Sequence, residues 1–160
     1  MDAVDHRPTL RIWVLLGGKS GDDAQVLALA DRLGLPYETR RLEYNWLRRL
    51  PNPVLGDRLI SLRGGDPLRA PWPDLILAIG RRSAPVALAI KRLQGGSTRL
   101  IHLGRPRAAL SAFDLVITTP QYGLPDAPNV IHANLPFRPQ REALSATEVA
   151  AWRRRWGNTG

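Results

Sequence analysis

At 160 residues, 44% of them hydrophobic, the chain is sized for one globular domain that buries most of its surface, which excludes a wholly disordered chain. The absence of cysteine removes disulfides, thiol catalysis and zinc–thiolate sites, and three scattered histidines, His6, His102 and His132, argue against a metal centre. The formal charge of +9 rests almost wholly on arginine, since Lys19 and Lys91 are the only lysines; such a field attracts nucleic acid, anionic headgroups or phosphorylated substrates, and is equally what a GC-rich genome produces.

No apolar run approaches the length of a membrane span, and Met-Asp-Ala-Val-Asp lacks the regions of a signal peptide, so the expected location is cytoplasmic. Residues 1–10 read as a flexible N-terminus. An apolar strand, Arg11 to Leu16, breaks into the glycine-rich turn Gly17-Gly18-Lys19-Ser20-Gly21. A helix then opens at about Asp22 and runs to Leu33, with Ser20 or Asp22 as cap and Gly34 as stop. Its periodicity places Val26, Leu29, Ala30 and Leu33 inward and Gln25, Ala28 and Asp31 outward.

Strand, glycine turn and helix together present backbone N–H groups to an anion. The turn fits neither common fingerprint. A Walker loop needs glycine where Trp13 stands, and glycines at 17, 18 and 21 break the dinucleotide spacing. A ligand turn and a plain strand-to-helix turn are both open.

A second strand fits Tyr37–Leu42. The stretch from Asn45 to Pro73 is rich in Pro and Gly and reads as a short helix at Trp46–Leu50, a strand near Leu59–Leu62, and loops otherwise. Leu75–Ile79 is a continuous apolar run of the kind buried in a parallel sheet, followed by Gly80-Arg81-Arg82-Ser83 and a helix to about Gln94, capped by Ser83 with Pro85 in its first turn. A strand at Thr98–Leu103 leads into Gly104-Arg105-Pro106-Arg107. Next come a short segment at Ala108–Phe113, a strand at Leu115–Thr118, a loop at Pro120–Pro125 and a last strand at Asn129–Ala133. Ser145 and Glu148 form a capping box for a final helix through Trp156. Residues 11–144 are thus one α/β domain with a doubly wound, mostly parallel, Rossmann-like sheet, and 145–160 a helix and tail that would begin an interdomain connection.

In such sheets ligands bind at the carboxyl ends of the strands, which puts Gly17–Asp22, Gly80–Ser83, His102–Arg107 and Thr119–Tyr122 on one rim. Arg81 and Arg82 beside a helix start would hold a phosphate or carboxylate, one of them turning inward and the other packing elsewhere. His102 is either a general base or a structural strand-end histidine. Gln25 bonds back to its loop or to a ligand, and Tyr122 with Gln121 suits a sugar or a turn packed on the core. Trp152 and Trp156, four apart around Arg153-Arg154-Arg155, read as an apolar stripe docked on the domain; an anionic membrane surface is the other reading.

Four segments in combination resemble a known family. They are Trp13-x-Leu15…Gly18-Lys19-x-Gly21-Asp22-x-x-Gln25, Gly80-Arg81-Arg82-x-x-Pro85-Val86, His102-Leu-Gly-Arg-Pro106 and Phe113-Asp-Leu-Val-Ile-Thr-Thr-Pro-Gln-Tyr122. They look like bacterial homologues of the plant "elongated mitochondria" fission factor. The resemblance implies a metal-independent glycosyltransferase of the two-Rossmann-domain (GT-B) type, of which this chain would be the N-terminal, acceptor-side half. It implies as partners a nucleotide sugar, a glycan or lipid-linked acceptor and a second Rossmann-like domain, with no cofactor or metal, and a place at the inner membrane's cytoplasmic face. The substrate-binding set would be Gly17, Gly18, Lys19, Ser20, Gly21, Asp22, Gln25, Gly80, Arg81, Arg82, Ser83, Arg105, Gln121 and Tyr122, with His102 as base. The rival reading is a non-catalytic basic module for anionic membrane or, less favoured, nucleic acid.

Overall fold

A computed structural model describes residues 10–134, 137 and 145–157. The expected flexible N-terminus, apart from Leu10, and the last residues of the tail lie outside these.

The chain runs β1 (Ile12–Leu16), α1 (Ser20–Leu33), β2 (Glu38–Tyr44), α2 (Asn52–Leu55), β3 (Leu62–Gly65), β4 (Leu75–Ile79), α3 (Gly80–Leu93), β5 (Arg99–Leu103), β6 (Leu115–Thr118), β7 (Val130–His132) and α4 (Ala146–Trp156). Short 3-10 turns occupy Trp46–Arg49, Leu110–Ala112 and Pro120–Tyr122. The strands form one sheet in the order β3-β2-β1-β4-β5-β6-β7. Every pairing is parallel except that of β2 with β3. This is the doubly wound Rossmann-like α/β sheet expected from the alternation of apolar strands and helices.

Side chains alternate across the central strands and build a core on each face. Trp13, Leu15, Ile76 and Ala78 pack with Ala84, Val86, Ala87 and Ile90 of α3. Ile12, Val14 and Leu77 pack with Val26, Leu29 and Ala30 of α1 on the opposite face. Burial on both faces explains why β4 reads as an unbroken apolar run.

The structure corrects several local expectations. Helix α1 starts at Ser20, so neither Ser20 nor Asp22 caps it; Lys19 holds the cap position without a side-chain bond. Helix α3 starts at Gly80, whose φ of 77° turns the chain straight off β4. Ser83 therefore lies inside the first turn, where its hydroxyl donates to the Ile79 carbonyl at 2.7 Å. Ala28 of α1 is buried at 3% exposure, and Leu33 is 40% exposed. The one-turn helix α2 falls where loop was expected, and β3 sits three residues later than read. The capping box of α4 is present, but that helix buries no residue. Trp152 and Trp156 stack edge-to-face at 5.6 Å on each other, and neither is buried, where a docked apolar stripe was expected.

Candidate functional site

The strand order reverses between β1 and β4: the chain moves outward from β1 through β2 in one direction and from β4 through β5 in the other. Ligands of open α/β sheets bind at such a switch point, because the loops leaving the two strands part there. A cleft of about 110 Å³ opens at this place, walled by Gly17, Lys19, Asp22 and Asp23 on one side and by Gly80, Arg81 and Arg82 on the other, with Tyr44 between. Two of the four expected rim loops thus meet.

The β1 side is already supplied with an anion. The Asp23 carboxylate accepts the Gly17 N–H at 2.9 Å and the Gly18 N–H at 3.1 Å. Those are the donors that a phosphate in the glycine turn would use. Asp22 and Asp23 also sit in the first turn of α1, where negative charge offsets the helix dipole. Lys19 reaches Asp22 at 3.8 Å while its side chain stays 63% exposed, a weak pair. Gly18, Ser20 and Gly21 face solvent and line no wall of the cleft.

The β4 side is differently arranged. The first turn of α3 holds no acidic residue, so its N-terminus is left without a compensating charge of its own. Arg81 points away from the cleft mouth, donating to the Leu50 and Arg48 carbonyls at 2.9 Å each. Arg82 remains half-buried in the cleft wall with no hydrogen-bond or ion-pair partner among the described residues. Of two adjacent arginines, one braces the fold and one faces the space. Opposite them, the Asp22 carboxylate lies so near Gly80 that a Cβ there would meet it at 3.2 Å.

Tyr44, missed by a sequence reading that ended β2 at Leu42, stands at the carboxyl end of the same strand. Its hydroxyl is buried without a hydrogen-bond partner among the described residues. Burial raises its pKa, opposed by Arg82 and reinforced by Asp23. It is a neutral group that can donate or accept.

His102 belongs to the core and not to the rim. It is 0% exposed and packs edge-on against Phe113 at 5.3 Å. Its Nε2 lies 3.1 Å from the Gly80 carbonyl, which fits an Nε2–H donor. Burial lowers its pKa to about 4, although the Gly80 carbonyl favours the protonated form. With Nδ1 sealed in the interior, it cannot take a proton from a molecule arriving at the cleft.

The remaining expected residues gather elsewhere. A smaller hollow of about 20 Å³, bordered by Gln25, Gly104, Thr118, Thr119 and Tyr122, lies beyond β4 toward β6. Gln25 bonds back to the Gly21 carbonyl at 3.4 Å. The Tyr122 ring covers Gly104, and Arg105 reaches the Tyr122 carbonyl at 3.5 Å. Gln121 is exposed beside them. Of the expected site residues, Gly17, Lys19, Asp22 and Gly80–Ser83 thus line one hollow and Gln25 and Tyr122 another, and no group of His, Asp and Glu among the described residues is placed to hold a metal ion.

Comparison with known proteins adds to this geometry. A family described as "Mitochondrial fission ELM1" matches residues 20–158. An uncharacterized protein of Rickettsia prowazekii (strain Madrid E) is 32% identical over 111 residues. That match covers 68% of this chain and 31% of the relative, so the chain spans about a third of that protein's length. No solved structure matches.

Proposed function

Because the chain belongs to the mitochondrial fission ELM1 family, we propose that it forms the acceptor-side, Rossmann-like half of a GT-B-like glycosyltransferase acting on cell-envelope glycan or lipid. The observation that carries this reading is the switch-point cleft, with Arg82 beside the N-terminus of α3, whose own first turn holds no acidic residue. An anionic group of the acceptor, such as the phosphate of a lipid-linked glycan, would gain a charge-assisted hydrogen bond from Arg82 and the field of α3.

The reaction joins an acceptor hydroxyl to the anomeric carbon of a nucleotide sugar and releases the nucleoside diphosphate. The hydroxyl proton needs an acceptor on the rim. Asp22, partly exposed and facing Gly80 across the cleft, meets that need where the buried His102 does not. Donor binding falls to a second Rossmann-like domain.

Calorimetric titration of the chain with inorganic pyrophosphate, UDP-sugars and polyprenyl-pyrophosphate glycans tests the reading. Binding of the pyrophosphate compounds, lost in Arg82→Ala, is the expected result. Silence across the panel, both here and in a longer family member carrying two domains, would overturn it.

A further inference from the structure

The segment between β2 and β3 carries a feature that the cleft does not use. Trp46 is 72% exposed, and Ile60, farther along the segment, is 44% exposed. The Asn45 side chain donates to the Ile60 and Leu62 carbonyls at 2.7 and 3.1 Å, tying the two ends of the segment together. Tyr44, Asn45, Trp46, Arg48, Arg49 and Arg63 border a shallow depression of about 430 Å³. Three arginines gather there, of which Arg63 meets Glu43 at 3.7 Å with both side chains largely exposed.

This segment is held firmly. Asn45 also accepts the Leu47 N–H at 2.8 Å, fixing the turn that presents Trp46. Arg81 clamps the turn's far end through the Arg48 and Leu50 carbonyls. Trp46 is an exposed tryptophan on a braced loop, and among the described residues its ring meets no other aromatic ring and no cation. A tryptophan ringed by arginines is the composition that seats in the headgroup layer of an anionic bilayer, the ring at the interface and the guanidinium groups on phosphates.

We infer that the Trp46–Arg63 surface docks the chain onto an anionic phospholipid membrane. No described helix is long and apolar enough to cross a membrane, so this contact is peripheral. Tyr44 borders both the depression and the switch-point cleft, so docking would hold the cleft mouth close to the headgroups. The inference stands apart from the transferase reading, because it uses neither Arg82 nor Asp22.

The test is co-sedimentation of the full chain with phosphatidylcholine vesicles prepared with and without phosphatidylglycerol, over a range of salt. Binding should require phosphatidylglycerol and weaken with salt. Arg49→Ala and Arg63→Ala should each lower partitioning about fivefold. Trp46→Ala should lower it without changing the salt dependence, and thermal melts should show the variant folded, since its ring is exposed. Arg82→Ala should bind vesicles like the parent, which separates this outcome from any failure of the cleft. Equal binding to both vesicle types, or insensitivity to all three substitutions, would overturn the inference. So would loss confined to Trp152→Ala and Arg154→Ala in α4. Capture of single-stranded RNA through Trp46 and Arg49, with vesicles ignored, would overturn it in favour of a nucleic-acid surface.

Discussion

The Asn52 side-chain amide donates to the Arg81 carbonyl at 2.7 Å, filling the backbone acceptor that Pro85, four residues on and lacking an N–H, leaves open. The same amide donates to the Pro106 carbonyl at 2.7 Å, so one buried side chain ties α2, α3 and the loop after β5 together. Asn52→Ala should lower unfolding stability by about 2–4 kcal/mol, read from urea denaturation, because two carbonyls lose their donor in the interior. Adding Pro85→Ala should return part of that loss, since residue 85 then supplies an N–H to Arg81. Equal stability of single and double variants would contradict the pairing.

The adjacent arginines should part company on substitution. Arg81→Ala removes two hydrogen bonds to backbone carbonyls and should cost about 1.5–3 kcal/mol of stability. Arg82→Ala should leave stability within about 0.5 kcal/mol and weaken pyrophosphate binding roughly tenfold. Thermal melts and calorimetry on the same two proteins decide the matter.

The two aspartates of α1 should also differ. Asp23→Ala strips the Gly17 and Gly18 N–H groups of their acceptor and should destabilise the fold by about 1–2 kcal/mol. Asp22→Asn removes a negative charge facing Gly80 and should tighten pyrophosphate binding. If the rim carboxylate takes the acceptor proton, the same variant should lose transfer activity in a two-domain relative while binding improves.

His102 sets a pH window. Its folded pKa of about 4 lies below the ordinary value of 6.5, so between these the unfolded chain binds the extra proton. The stability from a neutral His102 is complete above pH 6.5 and is lost as pH falls through 4, an effect of about 3 kcal/mol. His102→Gln should flatten the stability profile over that interval. Asp114 governs a lower window. Burial alone would raise its pKa, but the hydrogen bonds from Arg99, the Leu100 N–H and Lys91 outweigh this and hold it near 2 against an ordinary 3.8. Its contribution survives in His102→Gln and disappears only below about pH 4.

The parallel strands were legible because burial on both faces demands unbroken apolar runs such as Leu75–Ile79, and the rim followed from their direction. The Asn45–Pro73 stretch was poorly legible because its order comes from side-chain-to-backbone bonds between distant residues, Asn52 to Pro106 among them, and not from periodicity. Within the site, two adjacent arginines look alike in sequence. Only the positions of the Arg48 and Leu50 carbonyls separate them. For His102 the sequence offers both a structural strand-end histidine and a base, and the packing of Phe113 against its ring decides for the structural one.

The link between Asp23 and the glycine turn carries a consequence in mass action. Because the carboxylate is tethered within six residues of the two N–H groups it occupies, its effective concentration there far exceeds that of any free metabolite. Cellular phosphate and nucleotides, however abundant, would have to displace an intramolecular competitor to enter. The turn is therefore insulated from the metabolite pool, and an anion arriving at the cleft would meet groups without such a resident, Arg82 first among them.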